Sequence, residues 1–180
     1  MKTEIDVIRD VSSKLDRAGI PYMITGSIAM NYYAEPRMTR DIDLVLALSP
    51  RDAGAIVKIF TPDYYVSPKA VADSIAHESI FNLIHQESVI KVDCIVRKNT
   101  EYRCLEFDRR TPIKIQDFTT SIVSKEDLII SKLLWAKDSH SETQLRDVKN
   151  LLSTGFDKYY LENWTKKLDV YHLLEECRHE

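Results

Sequence analysis

Two aspartates separated by one residue, Asp41 and Asp43, are the first candidates for chemistry in this sequence. They open an apolar run that continues to Leu48, which is typical of a buried strand emerging at one end of a sheet. Because side chains alternate along a strand, both carboxylates are expected to point to the same face and to lie close together. Two like charges in that position need a cation, so the pair predicts a site for a divalent metal ion.

A Gly-Ser turn shortly before the acid pair predicts a phosphate site. Residues 22–24 are interpreted as a buried strand, Gly26 and Ser27 as a tight turn, and residues 28–34 as a helix. Gly26 permits close approach to the backbone, Ser27 offers a hydroxyl and an amide, and the free N–H groups of the helix favour a phosphate. The alternative is an ordinary turn without a ligand.

A third acid, Asp93, lies within the apolar strand predicted over 89–96. A buried carboxylate without a partner is costly, so Asp93 is expected beside a metal or a base. If this strand neighbours the strand of Asp41, three carboxylates converge, which is the arrangement that holds two Mg²⁺ ions for phosphoryl or nucleotidyl transfer. The alternatives are that Asp93 is a strand-end or edge residue facing water, or that it is paired with Lys91 through solvent.

The segments GSIAMNYYAEPRMTRDIDLVL and KVDCIV together resemble the nucleotidyltransferase superfamily that shares the DNA polymerase beta type fold. The common pattern is an apolar strand, Gly-Ser, a helix, Asp-x-Asp on the next strand and a later single Asp. The segments RMTRDIDLVL and EDLIISKLLWAKDSHSETQLRDVKNLL are similar to the AbiEii-type nucleotidyltransferases, a group that includes bacterial abortive-infection toxins.

The resemblance implies a role for each matching residue. Gly26 and Ser27 would bind the triphosphate of the nucleotide. Asp41 and Asp43 would be metal ligands. Asp93 would be the third carboxylate, acting as a metal ligand or as a base toward the acceptor.

The resemblance also implies a nucleotide-binding role for Lys132, Arg146 and Asp147, in which the lysine contacts the phosphates and the acid supports the site. From the residues alone, Lys132 could be a solvated lysine on an amphipathic helix, and Arg146 with Asp147 a surface ion pair. Arg37 and Arg40 flank the acid pair and are expected to screen nearby carboxylates, with phosphate binding as the alternative.

The activity that the resemblance implies is Mg²⁺-dependent transfer of a nucleoside monophosphate from an NTP to an acceptor. The acceptor would be tRNA or a protein, as in the AbiEii-like toxins, or a small hydroxylated antibiotic, because lincosamide- and aminoglycoside-modifying nucleotidyltransferases share the core pattern. A hypothesis from another class is a non-catalytic binding module that acts as the partner of another protein, such as an antitoxin.

The periodicity along the chain predicts an α+β fold with a small mixed β-sheet flanked by helices. The first helix is expected to end near Gly19, and the pattern from Ser124 onward is entirely helical. The other predicted elements are helices following Ser49-Pro50 and Ser67-Pro68, a hairpin of 79–85 with 89–96, and extended segments at 112–115 and 119–123. We expect residues 1–123 to form a nucleotidyltransferase core and residues 124–180 a helical portion packed on it, as one structural unit.

The composition is that of an ordinary globular protein, with 44% hydrophobic and 29% charged residues and a net charge of -3. It excludes disordered, collagen-like and membrane-spanning chains. The net charge provides no global positive field, so contact with RNA would require a local patch. Three cysteines without zinc-site spacing, and an N-terminus without a signal-peptide core, predict a cytoplasmic protein.

Overall fold

The computed structural model describes residues 2–39 and 41–179. Within these ranges the chain forms nine α-helices and a seven-stranded mixed sheet, so the predicted α+β fold is confirmed. The chain divides into two compact units. The first consists of Met1–Ile28 with Met38–Val123, and the second of Ala29–Arg37 with Ser124–Glu180.

All strands of the sheet belong to the first unit. They are β1 (Tyr22–Thr25), β2 (Ile42–Leu46), β3 (Tyr64–Tyr65), β4 (Ile80–His85), β5 (Lys91–Val96), β6 (Thr111–Ile115) and β7 (Phe118–Ile122). The helices along the chain are α1 (Glu4–Ala18), α2 (Gly26–Tyr33), α3 (Ala53–Phe60), α4 (Pro68–Ala76), α5 (Glu101–Asp108), α6 (Lys125–Ser139), α7 (Glu142–Leu152), α8 (Lys158–Lys167) and α9 (Tyr171–His179). Helix α2 starts in the first unit, and its residues from Ala29 onward are part of the second.

The sheet has the strand order β3-β4-β5-β2-β1-β7-β6. Strand β2 runs antiparallel to β1 and parallel to β5, and β1 runs parallel to β7. The remaining neighbours, β3 with β4, β4 with β5 and β6 with β7, are antiparallel. The strand that carries Asp43 therefore lies between the strands that carry Thr25 and Asp93.

Strict alternation of side chains places one face of β2 and β5 in the core. In β2 the fully buried residues are Ile42, Leu44 and Leu46, whereas Asp43 is half-buried on the opposite face. Strand β5 follows the same rule, because Val92, Cys94 and Val96 are buried. The two half-buried acids of these strands are therefore on the same face of the sheet.

Helix α1 forms as the sequence predicts. Thr3 caps its N-terminus in a reciprocal pair of hydrogen bonds with Asp6, and Gly19 ends it in the left-handed conformation at φ 66°. Val7, Val11 and Leu15 form its buried stripe, and the helix packs against α3 and β7. Burial of this stripe, rather than helix propensity, holds the helix on the sheet.

Most of the other predicted elements are also present. The hairpin of β4 with β5, helix α4 and strands β6 and β7 lie where the sequence indicates. Pro50 opens a short 3₁₀ turn that leads directly into α3. The short strand β3 and the helix α5 were not predicted, and α2 begins at Gly26 rather than at Ile28.

The second unit is built from helices α6 to α9 together with residues 29–37. Helix α6 packs against α7, α8 and α9, and Ser124 caps its N-terminus through the backbone N–H of Asp127. Leu133, Leu151 and Leu161 are fully buried in this unit. In the part of the chain that the structure describes, no helix has the length and apolar character needed to cross a membrane.

Candidate active site

The turn between β1 and α2 places Gly26 at the first position of the helix. Gly26 has a φ of 63°, a left-handed conformation that favours glycine, and Ser27 follows it in the first turn of α2. The first backbone N–H groups of an α-helix have no partner within the helix. The predicted turn at Gly26 and Ser27 is therefore present at the start of α2, and the binding of phosphate there stays a prediction.

The side chain of Asp43 packs directly against Gly26. A Cβ atom placed on Gly26 would lie 2.7 Å from Cγ and 2.9 Å from Cβ of Asp43. The antiparallel register explains this contact, because Asp43 is paired with Thr25, the residue before Gly26. Glycine at position 26 thus leaves room for the carboxylate of Asp43 as well as permitting the turn.

Asp43 and Asp93 are direct neighbours in the sheet. They are paired in the parallel register of β2 with β5 and lie on the same face. Neighbouring strands are about 4.8 Å apart, so the two carboxylates extend side by side. The strand adjacency on which the predicted acid cluster depended is therefore present.

Asp41 is placed differently from the other two acids. It precedes β2, and the register of β2 with β5 begins one residue later, at Ile42 and Val92. The side chain of Asp41 is 61% exposed, against 20% for that of Asp93. Asp41 is therefore the more exposed of these two acids and lies directly before the paired part of β2.

Lys91 contacts two of the three acids. Its Nζ lies 3.1 Å from Oδ2 of Asp93 and 3.8 Å from Oδ1 of Asp41. The hydrogen bond to Asp93 is the main cause that raises the pKa of Lys91 above its ordinary value. Asp93 is therefore paired with Lys91, and the contact is direct rather than through solvent as in the alternative that the sequence left open.

Asn82 forms a hydrogen bond with the other carboxylate oxygen of Asp93. Its side-chain amide donates a hydrogen bond to Oδ1 of Asp93, and the two residues are paired in the antiparallel register of β4 with β5. Each carboxylate oxygen of Asp93 therefore has its own partner, Asn82 on one side and Lys91 on the other.

The second unit contains a separate charge cluster around Asp147, of which Lys132 is a member. Nζ of Lys132 lies 2.7 Å from Oδ2 of Asp147 and 3.1 Å from Oε1 of Gln144. Arg37 donates two hydrogen bonds of 2.8 Å to the same carboxylate, one to each oxygen. Lys132 and Asp147 are almost completely buried, at 4% and 2% exposure.

Burial acts to raise the pKa of Asp147, but the hydrogen bonds from Arg37 and Lys132 outweigh it and leave the pKa below its ordinary value. The same contact raises the pKa of Arg37. The structure therefore brings Lys132 and Asp147 together as a buried ion pair rather than as solvated helix residues. Their neighbour Arg146 is exposed.

The arginines near the acid pair do not both fit the expected screening role. Arg37 binds Asp147 in the second unit, and its backbone is held by two hydrogen bonds with the side chain of Asn31. The carboxylate that Arg37 binds is therefore that of Asp147, which is 110 residues away in sequence. Arg40, the other arginine of that prediction, lies outside the residues that the structure describes.

No family model matches the sequence, and no curated protein matches it either. Solved structures do match. The antibiotic-resistance factor ANT(2'')-Ia aligns with a TM-score of 0.62 at 14% identity, covering 98% of this chain and 98% of that chain. A nucleotidyltransferase-like antigenic protein from Paracoccidioides brasiliensis aligns with a TM-score of 0.57 at 20% identity, covering 94% of this chain and 90% of that one.

A third match is the lincosamide antibiotic adenylyltransferase LnuA with lincomycin bound, at a TM-score of 0.55 and 17% identity, covering 84% of this chain and 97% of that chain. The chain has the nucleotidyltransferase fold. The fold that the sequence resemblance implied is therefore present, and the alignments extend over nearly the full length of these neighbours.

Within this fold, the acids of the first unit fit a magnesium ion by chemistry, because Mg²⁺ prefers carboxylate oxygens. Asp43 and Asp93 supply them from paired positions, and Gly26 leaves the space that Asp43 occupies. Across residues 2–39 and 41–179, however, no group of three acids, histidines or cysteines is placed to hold a metal. The donor pair of Asp43 and Asp93 fits the ion, and the addition of Asp41 to this pair stays a prediction.

Sequence reasoning assigned no site role to two residues beside Asp93. Lys91 was considered only as an alternative partner of Asp93, although strand alternation places it on the same face two residues earlier. Asn82 required the register of the hairpin, which pairs it with Asp93.

Proposed function

We propose that this protein is a nucleotidyltransferase that moves a nucleoside monophosphate from an NTP to a hydroxyl acceptor. The observation that carries the proposal is the pairing of Asp43 with Asp93 on one face of the sheet, beside a glycine turn that opens a helix. The fold shared with ANT(2'')-Ia and LnuA supports it.

The transfer is an in-line displacement at the α-phosphorus of the NTP. The acceptor oxygen forms a bond to this phosphorus, the bond from phosphorus to the bridging oxygen of the β-phosphate breaks, and pyrophosphate leaves with its electron pair. Asp93 is proposed to accept the proton of the attacking hydroxyl. Gly26 and Ser27 are proposed to bind the triphosphate through the backbone N–H groups at the start of α2.

Asp43 and Asp93 are the residues that would hold Mg²⁺, with Asp41 as the proposed additional ligand for a two-metal site. When bound, the ion would neutralise negative charge on the phosphates and lower the pKa of the attacking hydroxyl. The chain's own contribution is to hold the Asp43 carboxylate in one position, since it is confined between Gly26 and its strand neighbours.

The nucleotide-binding role of Lys132, Arg146 and Asp147 is a separate proposal that rests on the sequence resemblance. Lys132 is held by Asp147 and Gln144, which fixes the position of its ammonium group. Arg146, in contrast, is exposed and available to a phosphate. Exchanging Arg146 for glutamine should weaken NTP binding without unfolding the protein, which a fluorescence titration with a labelled NTP measures.

Two classes of acceptor are proposed. The AbiEii-like segments of the sequence favour tRNA or a protein, and an antitoxin protein would then be a further partner. The fold similarity to ANT(2'')-Ia and to lincomycin-bound LnuA favours a small hydroxylated compound. The net charge of -3 supports the small-molecule acceptor, because it offers no global attraction for RNA.

The acceptor is tested by incubating the protein with each α-labelled NTP, Mg²⁺ and one of three pools: total RNA, cell protein, or a panel of aminoglycosides and lincosamides. Label in one pool identifies the acceptor class, and the Asp43→Asn variant should leave every pool unlabelled. In parallel, NTP with Mg²⁺ should raise the melting temperature, because a ligand that prefers the folded state stabilises it. No transfer together with no thermal shift would instead indicate a non-catalytic binding module.

The site of action is proposed to be the cytoplasm. Cys94, Cys104 and Cys177 are free thiols, which is compatible with a reducing compartment. Fractionation of cells that produce the tagged protein tests this location.

A further inference from the structure

We infer that Lys91 acts as a built-in cation that occupies the acid cluster when no metal is bound, and that it competes with the metal ion for Asp41 and Asp93. The inference rests on the proposed function, since it concerns the same carboxylates.

The first support is distance. The ammonium of Lys91 lies 3.1 Å from an oxygen of Asp93 and 3.8 Å from an oxygen of Asp41. Asp41 directly precedes β2 and Asp93 lies in β5. The single ammonium of Lys91 contacts both residues. A divalent ion bound to the same two oxygens would have to lie close to the position of this ammonium group.

The second support is the state of the acid cluster. The described residues contain no group of three acids, histidines or cysteines placed to hold a metal, although Asp43 and Asp93 are paired in the sheet. The ammonium of Lys91 contacts both Asp41 and Asp93, so a positive charge already lies among the acids that are expected to bind the metal.

The third support is that Lys91 can leave. Its side chain is 42% exposed, and its contacts with Asp41 and Asp93 are ion pairs at the surface, which contribute little stability. Asn82, in contrast, is neutral and binds the other oxygen of Asp93, so it orients the carboxylate without competing for a cation. Lys91 is therefore the partner of Asp93 that a metal ion would displace.

The test is a titration of the full chain with Mn²⁺ alone, in which electron paramagnetic resonance measures the free ion. The variant Lys91→Met removes the competing charge and keeps the length of the side chain. Its Kd for Mn²⁺ should fall by about fivefold or more, since one unit charge a few ångströms away is worth about 1 kcal/mol or more near a protein surface. Lys91→Arg retains the charge and should restore the affinity of the unmodified protein.

Lys98→Met is the matched control, because Lys98 is exposed in the segment after β5 and its loss changes the net charge by the same amount. It should leave the Kd for Mn²⁺ unchanged. Circular dichroism of each variant establishes that the fold is retained.

The inference would be overturned if Lys91→Met left the Kd for Mn²⁺ unchanged, or if Lys98→Met raised the affinity for Mn²⁺ as much as Lys91→Met does. Either result would leave the proposed metal site in place. If Mn²⁺ binds measurably only to Lys91→Met, the inference is supported. If Mn²⁺ binds to neither the unmodified protein nor Lys91→Met, both the inference and the metal site of the proposed function are wrong.

Discussion

The carboxylate of Asp43 lies against Gly26 so closely that a side chain at position 26 would overlap it, with a Cβ atom only 2.7 Å from Cγ of Asp43. This contact joins the two motifs that the sequence presents separately, the glycine turn and the aspartate pair. It arises because β1 and β2 are antiparallel neighbours and Thr25 is paired with Asp43. The turn that is proposed to bind phosphate and the acid that is proposed to bind metal are therefore parts of one packed unit.

Gly26→Ala should lower both the free energy of unfolding and the transfer activity. A left-handed φ costs an alanine about 1–2 kcal/mol, and the overlap with Asp43 should add about 1–3 kcal/mol. Gly19→Ala is the matched control, because Gly19 has a similar φ of 66° but no atom within 4 Å of an added Cβ. Urea unfolding measures the free energy of unfolding of both variants, and the difference between them gives the cost of the overlap with Asp43. Equal losses of unfolding free energy would show that Asp43 does not constrain position 26.

Asp93→Asn should reduce the rate of nucleotidyl transfer by about a hundredfold or more, because a neutral amide cannot accept the acceptor's proton. The fold should be retained, since asparagine has nearly the same shape and Asp93 is not fully buried. Glu87→Gln, an exposed acid in the loop between β4 and β5, is the control for loss of one negative charge. A rate for Asp93→Asn equal to that of Glu87→Gln would rule out a catalytic role for Asp93.

Asp147→Asn should destabilise the protein by about 3–5 kcal/mol at neutral pH, because it leaves the buried ammonium of Lys132 and the guanidinium of Arg37 without their counter-charge. The control is Asp169→Asn, since Asp169 pairs with Lys137 at 3.0 Å in an exposed ion pair. That substitution should leave the unfolding free energy essentially unchanged.

The contribution of Asp147 should also depend on pH. The pKa of Asp147 in the folded protein lies below its ordinary value of 3.8, so its stabilising effect is fully present above that value and is lost as the pH falls through the lower, folded pKa. The difference in unfolding free energy between the unmodified protein and Asp147→Asn should therefore shrink below about pH 4. A difference that stays constant down to pH 3 would contradict the ion-pair account.

The three cysteines should differ in reactivity toward a thiol reagent. Cys94 and Cys177 are buried, and burial raises the pKa of the Cys94 thiol, whereas Cys104 is partly exposed. A thiolate is the reactive species, so Cys104 should be modified first in the folded protein and the other two only on unfolding. Mass spectrometry of the labelled peptides checks the order, and rapid modification of Cys94 would contradict the packing of β5.

Local patterns in the sequence predicted much of the fold because they report which face of an element is buried. The alternation in β2 and β5 is such a pattern, and Gly19 and Ser124 mark the end and the start of helices. Helix α5 was missed because its apolar residues do not form a clear stripe, although Thr100 caps it. Strand β3 is two residues long, which is too short for any periodicity to be visible.

The candidate site was only partly predictable, because the acids were found by type and spacing but their partners come from distant strands. The parallel pairing of Asp43 with Asp93 depends on the order of strands in the sheet, which no local pattern contains. Arg37 and Asp147 are 110 residues apart in sequence, so the local sequence around neither residue predicts their ion pair. The contacts of Lys91, in contrast, follow from its position two residues before Asp93.

The most direct test of the central claim compares ATP labelled at the α-phosphate with ATP labelled at the γ-phosphate, using the acceptor pool that the transfer assay identifies. The proposed chemistry predicts that α-label becomes attached to the acceptor, that γ-label appears in pyrophosphate, and that Asp43→Asn abolishes both. Attachment of γ-label to the acceptor would show phosphoryl rather than nucleotidyl transfer. Full activity of Asp43→Asn would show that the paired acids of β2 and β5 are not the active site.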